Sequence, residues 1–250
     1  MSEIYREIAL VTFAAREGEP ERRALRRLFR LAAWAAFIVL GGMLVHNINA
    51  LYLEPTFLGF VDKARDYGDM AKIQNAIEAC RWGAPQLCSF RFSGIAHMVN
   101  GLLLMFLAVT VQVLVRRSNP LLGQLAFVAG LLAGLGFFVT GVSDIPGTAY
   151  ASLLRDVNPG YNESILLMTT LIRGMANMVG VTGLGLFAAF VGAAALRTAL
   201  FARWGAYYGF VLLVPALGGL LNPILGFMYI TLVLPWLFWL GLQFSRLARA

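Results

Sequence analysis

Polar residues divide this chain into apolar runs too long for the interior of a soluble domain. Six stand out, near 31–53, 93–115, 121–142, 165–196, 206–222 and 224–245. About 20 such residues cross a hydrocarbon core of about 30 Å as a helix. The alternating segments of about ten residues that build a transmembrane barrel are absent. The pattern predicts an all-α, polytopic integral membrane protein, a six-transmembrane-helix bundle with short connections.

The one long connection, 54–92, has its own pattern. Phe60, Ala64, Tyr67, Ala71 and Ile77 recur at helical spacing, while Asp62, Asp66 and Asp69 fall elsewhere. This predicts an amphipathic helix that caps the bundle from outside. It ends in ACRWGAPQLC, where Gly83 and Pro85 force a turn between Cys80 and Cys88, the only two cysteines. On the outer side of a membrane they are expected to form a disulfide, contributing about 2–3 kcal/mol on the chain-entropy account. Free or metal-binding thiols are the alternative, but the segment holds no histidine and no third cysteine.

Residues 1–30 read as a cytoplasmic N-terminal tail and 31–250 as the membrane domain. The tail shows two helical patterns broken at Gly18 to Pro20. Residues 3–16 can lie on the membrane surface through Ile4, Ile8, Leu10 and Val11 or fray, and the tail 1–30 can dock partner membrane subunits. The first apolar run exceeds the 7–15 residues usual in a signal peptide, so it reads as a retained helix.

Composition agrees: 59% of residues are hydrophobic and 13% charged, with a mean hydropathy of +0.73. Soluble domains hold about 45–50% apolar residues. The net charge of +7 changes the picture only through its placement. Arg22, Arg23, Arg26, Arg27 and Arg30, then Arg116 and Arg117, Arg197 and Arg203, and Arg246 and Arg249 all fall on one side of the alternating topology. The positive-inside bias puts both termini in the cytoplasm of a bacterial-type cytoplasmic membrane. The charge therefore speaks for anionic membrane lipid as a partner and not for nucleic acid. Trp34, Trp204, Trp236 and Trp239, with Tyr207 and Tyr208, lie toward the inner ends and suggest an interfacial belt. No phosphate-loop motif occurs, and the inner connections leave no room for a nucleotide-binding domain.

The candidate chemistry is the polar content of the spans, which is costly in lipid and a functional hypothesis by default. His46 and His97, the only histidines, open two matching pairs, His46 with Asn49 and His97 with Asn100. At about 1.5 Å per residue, His46 lies about 12 Å inward of Glu54 and His97 about 9 Å inward of Arg91, on one level. Arg173 lies about 15 Å beyond Glu163, with Asn177 one turn deeper. Its guanidinium must meet water, a carboxylate or an anion, and Asp144 at the end of the third span is within reach. Gly141, Pro146 and Gly147 predict an irregular backbone around it. Asn222 marks a tight outer turn.

Three readings stay open. In the first, His46 faces Asn100 and Asn49 faces His97, a structural clamp between helices worth about 0.6 kcal/mol per hydrogen bond. In the second, His46 and His97 are metal ligands, the axial pair of a haem b in an electron-transfer subunit; zinc or copper would need further ligands. In the third, His46, Asn49, His97, Asn100, Asp144, Arg173 and Asn177 line an outward-facing polar pocket for a lipid headgroup, quinone or small anion. A set of Ser93, His97 and Asp144 for nucleophilic catalysis is poorly supported, since any serine near a histidine permits it.

Overall fold

The computed structural model describes residues 19–59, 69, 71–72, 75, 89–147, 157–198 and 201–249. Among these residues the regular structure is helical, with no strand. Cys80 and Cys88 lie outside the described residues, so the structure lends the disulfide no support. The tail 1–18 and nearly all of the expected cap also lie outside. Within the cap segment, Asp69 Oδ1 accepts from the backbone N–H of Ala71 and Lys72 at 3.0 and 3.2 Å. Such a bond is how an aspartate starts a helix.

Helix α1 (Glu19–Ile48) begins a dozen residues before the expected first span. The run ERRALRRLFR is made of good helix formers, and Glu19 and Glu21 sit in the first turn, where the helix dipole favours acids. The chain continues as a π-helical segment, Asn49–Leu58, with Pro55 inside it. Proline donates no N–H and clashes with the preceding turn, so the regular ladder loosens here. Gly59 closes the segment at φ 67°, its N–H bonded to Glu54 O, a left-handed position that glycine takes without penalty.

Helix α2 (Ser89–Val115) and α3 (Pro120–Val142) form a hairpin. Its turn is set by Asn119, whose side chain accepts from Leu122 N, and by Pro120 in the first turn. A π-helical stretch, Ser143–Gly147, ends α3, the irregularity that Gly141, Pro146 and Gly147 predict. Helix α4 (Pro159–Thr198), α5 (Arg203–Gly218), α6 (Pro223–Leu232) and α7 (Leu234–Leu247) complete the bundle.

Among the described residues, five helical stretches are long and apolar enough to cross a membrane: Glu19–Thr56, Ser93–Val115, Pro120–Ile145, Ser164–Thr198 and Met228–Leu247. The chain is thus built as an integral membrane protein, and among the described residues the expected six spans are not confirmed. The expected span 206–222 folds as the 16 residues of α5, about 24 Å of helix. It stops at Gly218 and Gly219, where the backbone packs against Gly226 and turns into α6.

Small residues let these helices approach closely. A Cβ on Gly101 falls 2.6 Å from Gly134 O, and one on Gly134 falls 2.6 Å from Gly101 O. Gly94 with Gly141 continues the same antiparallel register, and Gly136 meets Gly180 between α3 and α4. Aromatic side chains fill the core at the arginine-bearing end. Trp236 and Trp239 are fully buried there, 6.0 Å apart, with Phe187, Phe201 and Phe244. This corrects the expected belt: Trp34, Trp204 and Tyr207 are exposed as interfacial rings should be, whereas Trp236 and Trp239 are core residues.

Candidate functional site

The antiparallel packing brings α1, α2, α3 and α4 together at the end of the bundle away from the arginines. His46 lies about 24 Å along α1 from Arg30, and His97 about 28 Å along α2 from Arg116. In that layer the side chains form a row. His46 Nδ1 lies 3.1 Å from Ser93 Oγ and 2.9 Å from His97 Nε2. His97 Nδ1 faces Asp144 Oδ2 at 3.9 Å, and Asp144 Oδ1 meets Arg173 Nε at 3.3 Å. His97 and Asp144 are buried, while Arg173 keeps 20% of its side chain exposed.

The expected meeting of Arg173 with Asp144 is therefore observed. Buried charges need such pairing, because an isolated one costs several kcal/mol. The π-helical extension of α1 adds an acid that the sequence placed at the water-facing end of the first span. Glu54 is buried, accepts from Asn49 Nδ2 at 3.0 Å and lies within electrostatic reach of Asp144. Among the described residues, the layer thus holds Asp144 and Glu54 together with Arg173.

The clamp is corrected. Asn100 hydrogen-bonds neither His46 nor any other group: its side chain is fully buried against Gly42 and both amide ends lack a hydrogen-bond partner. Asn49 bonds Glu54 and not His97. Two matching motifs on antiparallel helices do not face each other residue for residue, because each pair's rotation about its own axis decides what it meets. Asn177 is part-buried, and its Oδ1 makes no hydrogen bond.

The haem reading does not fit this geometry. Two axial imidazoles at about 2 Å each from one metal place their nitrogens about 4 Å apart in line, on opposite faces of the macrocycle. Here His46 and His97 touch directly through ring nitrogens 2.9 Å apart, with ring centroids at 4.6 Å. No macrocycle fits between them. Among the described residues, no three His, Cys, Asp or Glu side chains are grouped to hold a metal ion. Nor is the nucleophile set formed: Ser93 bonds His46, while the carboxylate faces His97.

No family model, curated protein or solved structure matches the chain.

Sequence reasoning passed over two further contacts. Asn47 Nδ2 donates to Met43 O at 2.9 Å and Ile230 O at 3.4 Å, while its Oδ1 accepts from Thr231 Oγ1 at 2.8 Å, tying α1 to α6. Gln243 Oε1 accepts from Ala202 N at 3.1 Å, fixing the entry to α5. Asn47 follows His46 directly and so points about 100° around the helix from it, a signal that two polar neighbours serve different helices.

Proposed function

We propose that this integral membrane protein binds a small polar headgroup in the layer around Asn100, His46 and His97, and that a quinone suits it better than a lipid phosphate or a small anion. The observation that carries this reading is Asn100. A buried amide without partners costs about 1–3 kcal/mol per unmet group, and such groups are the ones a ligand or a bound water meets. The choice among ligands rests on charge. Among the described side chains of the layer, an incoming anion meets the carboxylates of Asp144 and Glu54, and Arg173 is already engaged by Asp144. A neutral quinone brings two acceptor oxygens and an apolar ring, and the layer offers hydroxyl, imidazole and amide donors between apolar helices.

The same proposal takes six helices across a bacterial-type cytoplasmic membrane with both termini in the cytoplasm. An even number of crossings returns Arg246 and Arg249 to the side of Arg22 to Arg30, as the positive-inside bias demands, and requires α5 with its following turn to cross. Cys80 and Cys88 then face the oxidising side, and a disulfide between them is part of the proposal.

The test is mass spectrometry of an organic extract from the purified full chain. A quinone should co-purify at near one per protein and fall at least about tenfold in Asn100→Leu or His46→Gln, the loss expected when about 1.4 kcal/mol of binding is removed. An extract without quinone, or one unchanged in both folded variants, contradicts the assignment.

A further inference from the structure

We infer that His46, His97 and Asp144 form a proton relay within the membrane layer, positioned by Ser93 and ended by Arg173. The inference stands whichever headgroup binds there.

His97 turns Nε2 toward His46 and Nδ1 toward Asp144, while His46 turns Nδ1 toward both His97 and Ser93 and keeps Nε2 away from the row. An imidazole can take a proton on one ring nitrogen while releasing one from the other. His46 Nδ1 and His97 Nε2, 2.9 Å apart, share a single hydrogen between them. When that hydrogen is on His97 Nε2, neutral His97 presents a bare Nδ1 to Asp144 Oδ2. Two lone pairs facing each other in a buried site call for a proton between them. When the hydrogen is on His46 Nδ1, His97 Nε2 accepts it and His97 Nδ1 carries the proton that points at Asp144. The two arrangements differ only in which nitrogens hold protons.

A proton added at His46 Nε2 therefore moves a proton along the row. The Nδ1–H of His46 passes to His97 Nε2, the Nδ1–H of His97 passes to Asp144 Oδ2, and Asp144 becomes neutral. Each step breaks one N–H bond and forms one N–H or O–H bond, so one positive charge crosses the row and no electrons are exchanged. The 3.9 Å gap to Asp144 is longer than a hydrogen bond, so the last transfer runs through a water or a small approach of the two side chains. His97 Nδ1 is buried and makes no direct hydrogen bond.

The charged groups around the row come from named elements. Glu54 on the α1 extension reaches Asp144, and Arg173 on α4 reaches both Asp144 and His97. The described charged side chains of α5 and α7 are Arg203 and Arg246, at the other end of those helices, and Arg249 lies just beyond α7. Ser93 holds His46 Nδ1, and the His97 ring packs on Phe137, with ring centroids 5.8 Å apart. Both imidazoles are thus held in orientation, as a relay requires.

With two histidines in the chain, nitrogen NMR of the full protein labelled on histidine, in bilayers of one synthetic lipid without quinone, reads the relay directly. The ring-nitrogen signals of His46 and His97 should change together as the pH is varied, with exchange between the two tautomers. Asp144→Asn, which cannot accept the proton, should abolish the exchange and fix one tautomer of His97. Since Asp144→Asn also takes a counter-charge from Arg173, His46→Gln serves as a second variant, and in it the joint step should vanish. Two histidines that titrate independently, or a His97 unaffected by both variants, overturn the relay. Because quinone is absent, that failure is distinct from failure of the ligand assignment.

Discussion

At the scale of single residues, the account turns on the pairing of Arg173 with Asp144. Removing the carboxylate takes a buried counter-charge from a largely buried guanidinium. We expect Asp144→Ala to lower stability by about 2–4 kcal/mol, toward the low side because Arg173 can still reach solvent. The double variant Asp144→Ala with Arg173→Met should recover part of that loss. Thermal unfolding of the purified protein measures both, and a double variant no more stable than Asp144→Ala contradicts the pairing. This pair was legible in the sequence, because a charge at that depth has few acids to meet. The partners of the histidines were not. Depth counting levels His46 with His97, but it says nothing of rotation about each helix axis. Glu54 was misplaced for a related reason: Pro55 after it signals a break in the ladder, yet the direction in which the loosened π-helical turn swings the carboxylate depends on tertiary packing.

At the scale of helices, small residues decide how close the polar faces come. Gly101 and Gly134 touch backbone to backbone, so Gly101→Ala has no flexible side chain to displace and should cost about 1–3 kcal/mol. Gly42→Ala should instead push the Asn100 amide aside and weaken ligand retention, since its Cβ falls on that side chain. Gly41→Ala and Gly174→Ala meet open space and should leave unfolding temperatures close to wild type, within about 0.5 kcal/mol. Equal losses at all four positions contradict the packing described. Helix type was readable along the described chain from apolar runs alone, but lengths were not. The arginine-rich stretch before residue 31 joins α1 because its propensity is high, and α5 ends early because Gly218 and Gly219 allow a tight turn against Gly226.

At the scale of the whole molecule, the bundle separates its charge. Among the described residues, arginines mark one end, an aromatic core lies next to them, and the layer of His46, His97, Asp144, Glu54 and Arg173 occupies the other. A reporter fused to the C-terminus is expected to be active only when it works in the cytoplasm, and a periplasmic readout contradicts the proposed orientation. Composition and charge placement made the membrane class legible, whereas the burial of Trp236 and Trp239 was hidden because interfacial and core tryptophans look alike in sequence. The central claim, a headgroup site built around Asn100 and the histidine row, is tested most directly by adding a short-chain quinone to the purified, delipidated protein and measuring its unfolding. Ligand at about 100 times its dissociation constant should stabilise the folded state by about 2.7 kcal/mol, and this gain should shrink in His46→Gln and Asn100→Leu. No stabilisation of the wild type, or the same stabilisation in all three proteins, contradicts the account.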